Sequence, residues 1–167
     1  MNRMRLSMMT AIVLYSMLTT GCKEQTDRQT TAEAAAEVQS IFPKGEKGSS
    51  EYFTGNAYTN GLVPADSTYA TLVGNVYFEP GARSNWHKHP AGQILIITDG
   101  VGYHQIKGQA RQTMKKGDVI QCPPNTVHWH GASPDTGLQQ LYIIPNTEKG
   151  IVEWMGPVTD EEYQNAD

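Results

Sequence analysis

The chain has no lysine-rich or arginine-rich run. Its 13 Lys and Arg stand against 17 Asp and Glu, for a net charge of −4 over 167 residues. That balance speaks against nucleic acid as a partner, because such binding needs a concentrated basic surface. Long apolar runs are equally scarce. The longest, LSMMTAIVLYSML over residues 6–18, is too short to span a bilayer in the usual way. No stretch repeats with the period of a solenoid, and no long helical period runs through the chain. Cysteine is rare, with two residues, and histidine little commoner, with five. Those few histidines are not scattered, and their placement carries the functional reading.

The first segment reads as an export signal. Arg3 and Arg5 precede the apolar run, and Thr19, Thr20 and Gly21 close it with small residues before Cys22. Residues 1–21 are therefore expected to be a signal peptide. LTTG followed by Cys22 resembles the lipobox of bacterial lipoproteins, although Thr19 stands where an aliphatic residue is commoner. The resemblance implies a mature chain anchored to the membrane of the cell envelope by lipid on Cys22. Residues 22–50 are polar, with one Ala-rich stretch, TTAEAAAEVQSIF, suited to a helical turn or two. They offer too few apolar positions for a core and read as a flexible tether. Cys122 lies in DVIQCPP, a buried strand end by its pattern. With Cys22 acylated it remains a free thiol with a structural role.

Residues 51–167 have another texture. Runs such as YATLVGNVYFEPG, QILIITDGVGYHQI and LQQLYIIP are short, β-branched and aromatic, and Gly, Pro, Asn and Asp punctuate them. The expectation is an all-β sandwich or barrel. Near the end, Thr159 and Glu162 have capping-box spacing and predict a short C-terminal helix. Within the domain, WHKHPAGQ places His87 and His89 two apart, so on a strand they point the same way.

Gly81, His87, His89, Gln93 and Gly100, followed by Gly117, Pro123 and His128, resemble the two motifs of the cupin superfamily. The resemblance covers about residues 70–146. It implies a single-domain jelly-roll barrel, two antiparallel sheets around a pocket. It also implies that His87, His89, Gln93 and His128 are metal ligands. Gln93 stands where many cupins have glutamate, and Asn125 where glycine is common; asparagine tolerates the left-handed conformation better than other non-glycine residues. Three imidazoles and an amide are neutral, so a divalent ion held by them keeps its full charge and is the stronger Lewis acid. The donor set suits Mn, Fe, Ni, Co or Zn and does not choose among them; Mn or Fe is the expectation.

His130, two residues past His128, faces the same side on a regular strand. It is a general base or a donor that orients a ligand. His104 is expected at the surface or barrel rim. Trp86 and Trp129 alternate with ligands and so face away from them, as packing anchors between sheets or at a subunit contact. Trp154 is expected to pack the tail onto the barrel. Arg83 either guides an anionic substrate or is simply solvated.

Within the cupins, FTG, VYFEPGARSNWHKHPAGQ, GDVIQCPPNTVHWHGASP and VEWMGPVTDEEY resemble small bacterial members that include manganese-dependent hydroxynitrile lyases. The resemblance implies cleavage of a small hydroxylated or carbonyl compound, with His130 as base. Gln140 stands where that group has a further histidine, and a glutamine orients a substrate without accepting a proton. Two other classes fit the same residues: an Fe- or Mn-dependent dioxygenase, and a non-catalytic module that binds a ligand or metal. A homodimer formed through exposed sheet edges is expected.

Overall fold

The computed structural model describes residues 38–165. The signal segment, Cys22 and most of the Ala-rich stretch lie outside the described residues. Within them the fold is nearly all β, as expected: twelve antiparallel strands and one short helix.

The strands are β1 (Glu46–Lys47), β2 (Phe53–Thr54), β3 (Ala57–Val63), β4 (Thr71–Phe78), β5 (Arg83–Ser84), β6 (His87–Lys88), β7 (Gln93–Ile106), β8 (Gln112–Lys115), β9 (Val119–Cys122), β10 (His128–Ala132), β11 (Leu138–Pro145) and β12 (Glu153–Trp154). One curled sheet joins β1, β3, β4, β11, the first half of β7 and β9. The other joins the second half of β7 with β8 and β10, and β10 with the short strands β5 and β6, which in turn pair with β2 and β12. The 14-residue strand β7 thus belongs to both sheets and turns the corner between them.

A β-bulge makes that corner. Gln139 of β11 pairs with Asp99, but Gln140 pairs with Ile97, which leaves Thr98 as the extra residue. A bulge bends its strand and shifts the alternation of side chains by one. The buried positions of β7 accordingly run Gln93, Leu95, Ile97 before Thr98 and Gly102, His104 after it. At Gly100 the chain takes a left-handed conformation, φ 82°, and a Cβ there would run into the carbonyl of Gly137. Asn125 is left-handed too, φ 58°, as its place in the second motif requires.

Two apolar clusters hold the sheets. Between them lie Phe78, Leu95, Ile97, Met114, Ile120 and Leu138, with Phe53 and Tyr142 at the margin. Outside the second sheet, Trp86, Trp129, Val158 and Tyr163 form another, covered by the helix α1 (Asp160–Gln164). The helix has the expected capping box: Glu162 N–H donates to Thr159 Oγ1 at 3.1 Å, and Thr159 N–H to Glu162 Oε2 at 2.9 Å. The two tryptophans are therefore packing anchors that face away from the pocket, beneath the C-terminal helix rather than between the sheets. Arg83 follows neither reading of the sequence. Its side chain is 5 % exposed, and it donates from Nε and Nη2 to the Val158 carbonyl at 3.2 and 2.9 Å and from Nη2 to Asp160 at 2.6 Å. It also lies 4.6 Å from the centre of the Tyr163 ring. Its role is to fasten the C-terminal segment, because strand pairing turns it away from the cavity.

Candidate functional site

Strand register assembles the site. Opposed residues of an antiparallel pair share a face, with Cβ atoms about 4.5–5.5 Å apart. Three such pairs meet inside the barrel: His87 with His128, His104 with His130, and Gln93 with Cys122. The imidazoles of His87 and His128 have centres 4.4 Å apart, and those of His89 lie 5.2 Å from His87 and 5.6 Å from His128. All four residues singled out as ligands are buried and come together here.

Hydrogen bonds then set where each lone pair points. Nδ1 of His87 donates to the Asn85 carbonyl at 2.9 Å, Nδ1 of His89 to Ile151 at 2.6 Å, and Nδ1 of His128 to Thr126 at 2.9 Å. A carbonyl only accepts, so in each ring Nδ1 carries the proton and Nε2 the lone pair. His89 Nε2 is buried without a partner. His128 Nε2 lies 3.1 Å from Gln93 Oε1, which sets one acceptor against another. An unpartnered buried acceptor costs free energy, of order 1–3 kcal/mol, and an electropositive ion between such atoms removes the cost. The donor set fits a divalent metal on these grounds.

His130 is tied differently. The donor nitrogens of His87, His128 and His130 fall within 4.8 Å of one another, so distance alone would admit His130 as a ligand. However, its Nδ1 accepts from Gln140 Nε2 at 3.0 Å, so in the neutral ring Nε2 carries the proton. In that tautomer Nε2 is a donor and not a ligand. Gln140 is fully buried, and its Oε1 has no partner.

Burial lowers the pKa of all five imidazoles, since a charged ring is costly away from water. It brings His128 down to about 3 and His104 to about 4. His89 is lowered, and His87 and His130 are driven well below the ordinary value; for His87, His128 and His130 the neighbouring imidazoles add to burial. All five are neutral at pH 7, the form that coordinates metal.

The site opens into a cavity of about 220 Å³ bounded by Phe53, Leu72, Val76, Tyr142, Ile144, Ile151, Val152 and Trp154, with Thr59, His87, His89, Gln93 and His130 as its polar groups. Among the described residues no Asp, Glu, Lys or Arg lines it. Trp154 is more than a tail anchor: β12 sets it opposite His87, its ring 4.9 Å from that imidazole and stacked on Tyr52 at 4.8 Å. Tyr142 enters from β11, where Gly74 leaves it room. His104 corrects the rim reading: it is 3 % exposed, 5.4 Å from the His128 ring, and 3.3 Å through Nε2 from Cys122 Sγ. The bulge at Thr98 turned it inward. Trp154 and Tyr142 were missed because a two-residue strand shows no alternation and Tyr142 resembles any sheet aromatic.

Comparison with known proteins accords with this architecture. The Cupin domain family matches residues 74–144. The chain is 42% identical over 118 residues to an (R)-mandelonitrile lyase of Granulicella tundricola, covering 71% of this chain and 90% of that one. A cupin-like protein of Thermotoga maritima superposes with a TM-score of 0.75 at 50% identity, over 77% of this chain and 97% of its own. A more distant likeness, 22% over 80 residues, is to an acireductone dioxygenase of Alcanivorax borkumensis, covering 46% of this chain and 44% of that one. With its doubled motif, curled antiparallel sheets and inward histidines, the chain belongs to the cupin family.

Proposed function

We propose that the protein is a metal-dependent lyase that cleaves a neutral, largely apolar hydroxylated compound of the cyanohydrin type. The observation that carries this reading is the pairing of a neutral donor set with an apolar, uncharged cavity. His87, His89 and His128 through Nε2, and Gln93 through Oε1, would hold the ion, with Mn or Fe favoured and Ni, Co or Zn as alternatives. Such an ion, when bound, acidifies a substrate hydroxyl. The cavity exceeds the roughly 150 Å³ that holds a benzene ring, and its walls supply no cation to attract an anionic substrate.

His130 and Gln140 handle the proton. With the amide as it stands, His130 offers Nε2–H to the cavity and is a hydrogen-bond donor. Turned about its last bond, Gln140 would accept from Nδ1–H, which frees Nε2 to take the hydroxyl proton. That proton then goes to the departing cyanide as the carbon–carbon bond breaks, leaving an aldehyde and hydrogen cyanide. Burial makes His130 a weak base, so the step depends on a hydroxyl already acidified. The 42% identity to the (R)-mandelonitrile lyase supports the same class. We place the protein in the bacterial cell envelope, exported and anchored by lipid on Cys22.

The test is a paired assay on metal-loaded protein. Release of cyanide and aldehyde from an aromatic cyanohydrin, with no oxygen uptake on a diol or diketone, is the expected result. Oxygen uptake without cyanide release would favour a dioxygenase, and turnover of neither, with ligand binding intact, would favour a binding module.

A further inference from the structure

We propose that His104, Cys122 and His128 form a second metal site, selective for thiophilic ions, that cannot be filled together with the first. The ligand atoms of these three buried residues lie within 4.8 Å of one another. The register accounts for the grouping: Cys122 lies beside Gln93, and His104 beside His130, on the inward face of β7 and its neighbours. One thiolate with two imidazoles is a softer set than three imidazoles with an amide oxygen, and suits Cd²⁺, Zn²⁺ or Cu⁺ over Mn²⁺.

One further feature points to a ligand. A second opening of about 280 Å³, separate from the apolar cavity, is lined by His104, Gln112, Val119 and Gln121 among others, and brings solvent to the His104 side of the group. The shared residue creates the exclusion. Nδ1 of His128 is committed to the Thr126 carbonyl at 2.9 Å, so Nε2 is its one available lone pair. That lone pair serves either the set with Gln93 or the set with Cys122. The exclusion rests on the ligand set proposed above; the second site does not.

A thiol binds a metal ion as the thiolate. Binding therefore exchanges a cation for the thiol proton: the S–H bond breaks, a metal–sulfur bond forms, and the proton leaves to solvent.

The experiment is a titration of the metal-free full chain, carrying Cys22→Ser, with Cd²⁺, followed by the ultraviolet thiolate-to-metal charge-transfer band and by proton release. The expected result is a band saturating at one equivalent with release of one proton, and at least a tenfold weakening in His104→Ala. The band should persist when His89→Ala is added, which disables the first set alone, and vanish with Cys122→Ser. Absence of the band in the folded Cys22→Ser chain would overturn the proposal, whatever the variants do, as would an undiminished band with Cys122→Ser. In the Mn²⁺-loaded protein, release of Mn²⁺ as the band grows is expected. Growth with Mn²⁺ retained would overturn the exclusion and leave the second site standing.

Discussion

His87 and His128 face each other across β6 and β10, ring centres 4.4 Å apart, and each gives its Nδ1 proton to the carbonyl two residues before it in the chain, Asn85 and Thr126. The bonds fix both tautomers and both ring orientations before any metal arrives. The backbone that forms the strands also aims the lone pairs, so the site is preorganised.

Gln140 governs His130 through one hydrogen bond. Gln140→Leu removes the partner of Nδ1 and should lower kcat by about 10- to 100-fold with the bound metal unchanged. Gln140→Glu places a carboxylate beside the ring, raises the His130 pKa, and should move the acid limb of the pH–rate profile to higher pH. Steady-state kinetics across pH 5–9, with metal content measured in parallel, check both outcomes.

Burial of His104 makes the metal-free protein acid-sensitive. Its folded pKa, about 4, lies below the unfolded value of 6.5. Between those values the unfolded chain binds a proton that the folded chain refuses, so stability falls as pH drops through that window. The loss from this residue amounts to about 3 kcal/mol by pH 4, at 1.36 kcal/mol per unit. Above pH 6.5 it contributes no slope. Urea unfolding of the metal-free chain at pH 7, 5.5 and 4.5 measures the loss, and His104→Gln should flatten part of it.

Trp129 is fully buried beneath the C-terminal helix, with Nε1 donating to Gln105 Oε1 at 2.9 Å. Trp129→Ala should cost about 3–5 kcal/mol, the usual range for a buried tryptophan. The side chain faces away from the imidazoles, so Trp129→Phe, where folded, should bind metal as before. Thermal unfolding and metal content together separate the two effects.

Trp154 walls the cavity. Trp154→Ala should raise KM for an aromatic substrate by about tenfold, with kcat much less affected, because it removes apolar contact common to ground and transition states. Initial-rate kinetics with aromatic and small aliphatic cyanohydrins check this, and the aliphatic KM should change less.

Local pattern made much of this legible. His87, His89, Gln93 and His128 stand at recognisable spacings, and strand alternation alone puts Trp86 and Trp129 on the opposite face. The C-terminal helix was written in Thr159 and Glu162. Other features depended on distant partners. The bulge at Thr98 becomes visible only once β11 pairs with β7, and it reverses the facing of His104. Arg83 is held by Val158 and Asp160, 75 and 77 residues on, a relation no window of sequence contains. Gln140 Nε2 donates to His130 Nδ1 across two strands, a pairing that neither residue alone reveals.

The measurement that tests the central claim most directly is elemental analysis of the full chain, purified without chelators, beside a His87→Ala/His128→Ala variant shown by circular dichroism to be folded. The account predicts close to one equivalent of a divalent metal, Mn or Fe foremost, in the natural chain and almost none in the variant. A natural chain that holds no metal, and regains none on addition of Mn, Fe, Ni, Co or Zn, would contradict it.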